Sequence, residues 1–250
     1  MKQLVKKILQ TLLGFDNYLF FFSLYIIFTL KWNHKERDFL HFLGMLPNNG
    51  TVLDIGANIG IMTVHLARHL PQANVLAFEP IPSNIKALRR IIHYFNLNNV
   101  AVMDFALGNS EGEAQMVMPV LGNTPMQGLS HVIHESIPDL NEGRKYQIKI
   151  KRLDSIAPLF DKGLILSAIK IDVENFEYFV LAGAENLIRL HRPIIYAELW
   201  ENENRSKCFS LLKSLDYNVM VLNRGKLEPY SIENHKTQNF FFISSSPQIN

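Results

Sequence analysis

The chain has 250 residues, 48% hydrophobic and 19% charged, with a formal net charge of +2. That composition is ordinary for a globular protein, and one α/β domain often reaches this size. So small and scattered a charge excludes a dedicated nucleic-acid binder. The single cysteine, Cys208, excludes an internal disulfide and a Cys-rich zinc site, and fits a reducing, cytoplasmic setting.

Residues 1–48 read as a helical, apolar segment distinct from the rest of the chain. Tyr18–Leu30 is almost wholly apolar, and a helix with no polar face is buried or in lipid. A run of roughly 13 residues makes about 20 Å of helix, whereas a bilayer core needs about 30 Å. Asp16 and Asn17 bar its extension backwards. The expectation is an apolar N-terminal helix docked on the main domain, on a second copy in a homodimer, or shallowly on a membrane, at its inner face. Lys31–Asn49 continues as a helical stretch that ends at Pro47.

From residue 49 the pattern alternates. Thr51–Ile55 reads as a strand, Ile59–Leu70 as a helix and Asn74–Phe78 as a strand. A helix opened by Pro82 comes next, with Ile85, Leu88, Ile92 and Phe95 inward, and then a strand over Val100–Asp104. Residues 110–152 interrupt as an inserted hairpin and loop, with strands Glu113–Pro119 and Tyr146–Leu153. The alternation resumes with strand Ile165–Ile171, helix Phe176–Arg189, strand Pro193–Leu199 and helix Asn204–Leu215. Tyr217–Leu222 and Asn239–Ser244 close the chain as strands with no helix between them, which predicts an antiparallel edge. The whole predicts an α/β domain over 49–250, its sheet mostly parallel, with helices on both faces.

Four segments carry chemistry. Asp54-Ile55-Gly56-Ala57-Asn58-Ile59-Gly60 follows a strand and opens a helix, so small residues and free N–H groups meet a ligand there. Glu79, after the second strand, is placed to accept hydrogen bonds from ribose hydroxyls. Asp104-Phe105-Ala106 follows the third strand, where Phe105 can lie against an adenine ring. Lys170-Ile171-Asp172-Val173-Glu174-Asn175-Phe176-Glu177 crowds three carboxylates into one strand-to-helix turn. Glu177 reads as a partner for the helix N-terminus, and Asp172 as the functional acid. Glu198 ends the next strand. His131 and His134, in the insertion, read as exposed loop residues held in reserve. His65 and His69 read as a surface pair, and no compact metal-ligand motif is present.

This ordered set resembles the FkbM-type methyltransferase family over roughly residues 50–245. The resemblance implies a class I methyltransferase (Rossmann-like) sheet of seven strands with the last antiparallel. It implies S-adenosyl-L-methionine as cofactor and methyl transfer to an oxygen of a sugar, polyketide or lipid-linked metabolite. Asp54, Gly56, Asn58, Gly60 and Glu79 match its cofactor motifs. Asp172, Glu174 and Glu177 match its Asp-Val-Glu-Gly-Phe-Glu segment, where Asn175 stands for the usual glycine. The expected cofactor contacts are thus Asp54, Gly56, Ala57, Asn58, Gly60, Glu79, Asp104, Phe105, Ala106 and Asp172. Asp172, Glu198 and Glu174 are the expected catalytic carboxylates. Two alternatives stand beside it: a membrane-associated binding protein that keeps the fold without catalysis, and a nicotinamide-dependent oxidoreductase. The latter lacks the second glycine of G-x-G-x-x-G, since Asn58 stands there.

Overall fold

The computed structural model describes residues 2–122, 124–161 and 163–246, with side chains from residue 5 onward. Two helices, α1 (Lys2–Leu13) and α2 (Phe15–Thr29), turn at Gly14 and precede α3 (Arg37–Met45). The main domain then runs β1 (Thr51–Ile55), α4 (Ile61–His69), β2 (Asn74–Phe78), α5 (Pro82–Tyr94) and β3 (Val100–Met103). Next come β4 (Ala106–Leu107), β5 (Gly112–Leu121), β6 (Thr124–Pro125), β7 (His131–Val132) and β8 (Gly143–Lys151). The rest is β9 (Leu166–Ile171), α6 (Glu177–Ala182), α7 (Glu185–His191), β10 (Ile194–Glu198), α8 (Glu203–Ser214), β11 (Tyr217–Asn223), β12 (Lys226–Pro229) and β13 (Asn239–Ser244).

The main sheet has eight strands in the order β12-β11-β13-β10-β9-β1-β2-β3. β3, β2, β1, β9 and β10 pair in parallel, and β13 runs antiparallel to both its neighbours. β1 and β9 are buried along their whole length, as parallel strands covered on both faces must be. The fold is that of class I methyltransferases, with two differences from expectation. The last strand is antiparallel but interior, because Phe240, Phe241 and Phe242 are fully buried and need cover on both faces. The outer position falls to β12, an eighth strand from the turn-rich stretch around Gly225, paired only with β11.

The insertion builds a second sheet. β5 and β8 pair antiparallel over Gly112–Pro119 and Gly143–Ile150 respectively, with Gly112 opposite Ile150, while β4 runs parallel to β8, and β6 and β7 lie along β5. Its buried face (Met116, Met118, Val132, Ile148, Ile150) joins the core beside Phe176 and Leu181.

The apolar helix α2 docks on the main domain. Tyr18 and Leu19 pack against Ile59 and Ala87, and Ile27 packs against Val64 and Ile91. Each such side chain contributes roughly 1.5–3 kcal/mol on burial. Ser23 is buried within this contact and donates to Ile59 O at 2.9 Å, so the helix is positioned as well as held. Among the described residues no helix is long and apolar enough to cross a membrane.

Candidate active site

The strand ends of β1, β2 and β9 converge on one backbone crossing. Gly56 turns out of β1 at φ 76°, and its N–H and that of Ala57 donate to Phe78 O at 3.1 and 2.9 Å. A Cβ at Gly56 would run into the backbone carbonyl of Asp172, so glycine is required by space as well as by φ. Lys170 staples the crossing from below. Its ammonium donates to Gly56 O at 3.2 Å and lies 3.3 Å from Asp54 and 3.7 Å from Asp172. Burial opposes this charge, but Asp54 and Asp172 outweigh it and hold the Lys170 pKa above its ordinary value. Asp54 is itself fully buried and accepts from Thr63 Oγ1 at 2.6 Å.

Above the crossing lies a cavity of about 620 Å³, counting its open mouth. Gly56 and Asn58 form one wall, Glu79 and Asn84 the next, and Phe105 and Ala106 the third. Asp172 and Glu174 line the fourth side, and Gln127, Ser130 and Val132 of the insertion roof it. Glu79 is buried, and its carboxylate accepts from Asn58 N (2.9 Å), Ile81 N (2.9 Å) and Asn84 Nδ2 (3.2 Å). Burial pushes its pKa up to about 7 against the pull of those bonds. Three buried polar atoms around this cavity lack a protein partner: Asn58 Oδ1, Asn84 Oδ1 and Ser130 Oγ. Because all three belong to residues that line the cavity, they are free to meet a polar ligand in it.

At the carboxylate turn, Glu174 and Asn175 both adopt left-handed backbone, with φ 52° and 75°. Asn175 tolerates this where a glycine is usual, and it is held by Asn202 Nδ2 on its side-chain oxygen (2.6 Å) and Asn204 Nδ2 on its carbonyl (3.0 Å). Glu177 braces the same turn by accepting from Val173 N and Asn175 N, as its reading as a helix-terminal carboxylate expects. Burial, and then the charges of Asp172 and Glu198, push the Glu174 pKa well above its ordinary value. Burial and Asp172 push Glu198 up to about 7.

Of the residues expected from sequence, Gly56, Asn58, Glu79, Phe105, Ala106, Asp172 and Glu174 line one cavity. Asp54, Ala57 and Gly60 lie outside its lining and shape it from beneath. Asp104 is not brought there; it lines a separate cleft beside α5. Glu198 lies outside the lining, near enough to Asp172 for the two charges to interact. His131 is buried rather than exposed, held by Leu129 O and Asn141, and His134 packs on Phe179 with ring centroids 4.5 Å apart. His65 and His69 are not a surface pair, because His65 is half-buried edge-on to Phe39. Asn84, Ser130 and Gln127 escaped the sequence reading. Asn84 alone had a local signal, a polar residue on the inner face of a helix opened by Pro82. Glu36 was also missed, and the turn before α3 brings it into the electrostatic reach of Asp172 and Lys170.

Comparison with known proteins gives the family and the fold. The family model described as the methyltransferase FkbM domain matches residues 54–219. The chain is 28% identical over 215 residues to methyltransferase sdnD of Sordaria araneosa, spanning 74% of this chain and 81% of that one. It is 26% identical over 171 residues to methyltransferase 1 of Beauveria bassiana, spanning 63% of this chain and 68% of the other. Among solved structures it superposes on an FkbM methyltransferase from Methylobacillus flagellatus with a TM-score of 0.52 at 16% identity. That match covers 80% of this chain and 45% of the other, so this chain spans less than half of that protein and shares its fold. With the family model covering more than half of its length, the chain belongs to the FkbM methyltransferase family.

Proposed function

We propose that the chain uses S-adenosylmethionine to methylate a hydroxyl oxygen of a sugar, polyketide or lipid-linked metabolite. One observation carries the reading: the slim Gly56–Asn58 turn and the Glu79 carboxylate, joined by a 2.9 Å hydrogen bond from Asn58 N, line one cavity beside three unpartnered polar atoms. The residues present fit the cofactor. A carboxylate accepts about four hydrogen bonds, and Glu79 already takes three, so one direction remains for a ribose hydroxyl. Asn58 and Asn84 offer further side-chain oxygens, and Phe78, Phe105 and Leu107 provide flat apolar surface for a base.

When bound, S-adenosylmethionine supplies an already activated methyl group, so the protein has chiefly to position the acceptor and exclude water. Asp172 is suited to orient an acceptor hydroxyl and take its proton, being about two-fifths exposed at the cavity wall and steadied by Lys170. Glu198 is the second carboxylate on this side. Glu174, whose pKa is raised by burial and by the neighbouring carboxylates, lines the same side. The roof from the insertion keeps solvent from the buried end.

Calorimetric titration with S-adenosylhomocysteine tests the cofactor assignment. The wild type is expected to bind, and Glu79→Ala to bind about a hundredfold more weakly, because a charged acceptor and its supports are lost. Unchanged affinity in that variant, or no binding by the wild type, overturns it.

A further inference from the structure

We propose that the outer face formed by α1, α2 and α5 docks in the plane of an anionic lipid surface, a role that goes beyond methyl transfer and does not depend on it. Phe21, Tyr25, Phe28 and Trp32 recur at i, i+4, i+7 and i+11, which sets them along one side of α2 and its continuation. They are 52%, 64%, 52% and 67% exposed, although the opposite side of the same helix is fully buried. A soluble surface rarely leaves so contiguous an apolar stripe uncovered.

Two hollows flank this stripe. Between α1 and α2 runs an apolar groove of about 1560 Å³ lined by Val5, Leu9, Leu13, Phe21, Phe22 and Tyr25. Between α2 and α5 lies a cleft of about 1340 Å³, counting its open mouth, lined by Phe20, Lys86, Arg89, Arg90 and His93, with one acid, Asp104, among them. The rings of Phe20 and Phe21, 5.4 Å apart, form the ridge between them. An apolar trough and a cleft with a surplus of cations over its single acid thus lie on either side of one aromatic crest. Acyl chains and lipid phosphates have this pair of chemistries in the same proximity.

The charge supports lipid as the occupant. Residues 1–35 carry Lys2, Lys6, Lys7, Lys31 and Lys35 against a single acid, Asp16, which pairs with Lys86 at 2.6 Å. Lys31 lies over the Trp32 ring at 4.5 Å, and Arg68 over Phe95 at 5.4 Å, beside Phe28. Cations at the rim of an aromatic surface are the arrangement of interfacial anchors. A twofold dimer through the same face would set one basic row near another, at a cost in repulsion. α2 has 15 residues, about 22 Å of helix, so it lies on a bilayer rather than through it.

Flotation of the full chain with vesicles tests this. It is expected to float with equimolar phosphatidylcholine–phosphatidylglycerol, to bind phosphatidylcholine alone far less, and to be released by salt. Phe21→Ser combined with Tyr25→Ser is expected to lower partitioning about tenfold or more through lost apolar burial. Arg89→Glu is expected to lower it at least about fivefold. All three side chains are exposed, so unchanged melting temperatures verify folding, and wild-type flotation stands as a test even where a variant fails to fold. Failure of the wild type to float with anionic vesicles overturns the proposal. So does a dimer in solution that Phe21→Ser dissociates, since that assigns the face to a second copy.

Discussion

At the residue scale Lys170 is central, since one buried ammonium touches the glycine turn through Gly56 O and the carboxylate turn through Asp172. It sets one ammonium between two carboxylates, Asp54 and Asp172, next to a buried backbone crossing. Asp172→Asn is expected still to bind S-adenosylhomocysteine while slowing transfer about a hundredfold or more, the usual scale for a lost general base. Full activity in that variant would remove Asp172 from the chemistry. Glu198 titrates near 7 through burial and the Asp172 charge. A carboxyl acts as an acceptor only above its pKa, so kcat is expected to rise through about pH 7, and Glu198→Gln to abolish that inflection. A pH–rate profile that keeps its inflection in Glu198→Gln assigns it to another group.

At the scale of elements, the apolar pattern over Phe176–Arg189 reads as one helix, yet the chain makes two, α6 and α7, separated at Gly183 and Ala184. The break is tertiary. A Cβ at Gly183 would meet the backbone carbonyl of Gly108, which follows β4, so the two backbones lie in direct contact. Asp154, at the far end of the insertion, then accepts from Asn186 N and Leu187 N and caps α7. Gly183→Ala is therefore expected to destabilise by about 1–3 kcal/mol despite alanine's better helix propensity. Chemical denaturation reads this directly, and a stability equal to or above wild type would show that the contact yields without cost. The strand pattern was more legible. Thr51–Ile55, Asn74–Phe78 and Asn239–Ser244 stand where period and composition put them.

Across the whole molecule, two buried carboxyls, Glu79 and Glu177, and two partly buried ones, Glu198 and Glu174, have pKa values raised to about 7, 8, 7 and 9 respectively. In each, burial is the first cause. The folded state therefore holds protons that the unfolded chain releases near pH 4.5. Stability from these groups is complete below that pH and is lost as pH rises through the folded values. The melting temperature of the free protein is expected to fall as pH climbs from about 5 to 9. Glu174→Gln should flatten the upper part of that slope, and an unaltered slope would show that Glu174 ionises normally. The same cluster explains why the site is only half legible in one dimension. Gly56, Glu79 and Asp172 end successive sheet strands, where parallel topology always gathers ligand contacts. Asn84, Ser130 and Glu36 come from a helix, the roof and the N-terminal segment, whose approach to the cavity has no sequence period.

The sequence alone determined the parallel sheet, the glycine turn and the acid after the second strand, because each is a local response to hydrophobic period or to backbone space. It also determined that the N-terminal helix would be apolar and too short to cross a bilayer. Only the tertiary structure decided that this helix hides one side against α4 and α5 and leaves an aromatic stripe outside, and that β13 is interior. It alone raised the carboxyl pKa values. Those outcomes depend on which surfaces end up facing each other and how much water remains between them, and neither is a property of neighbouring residues.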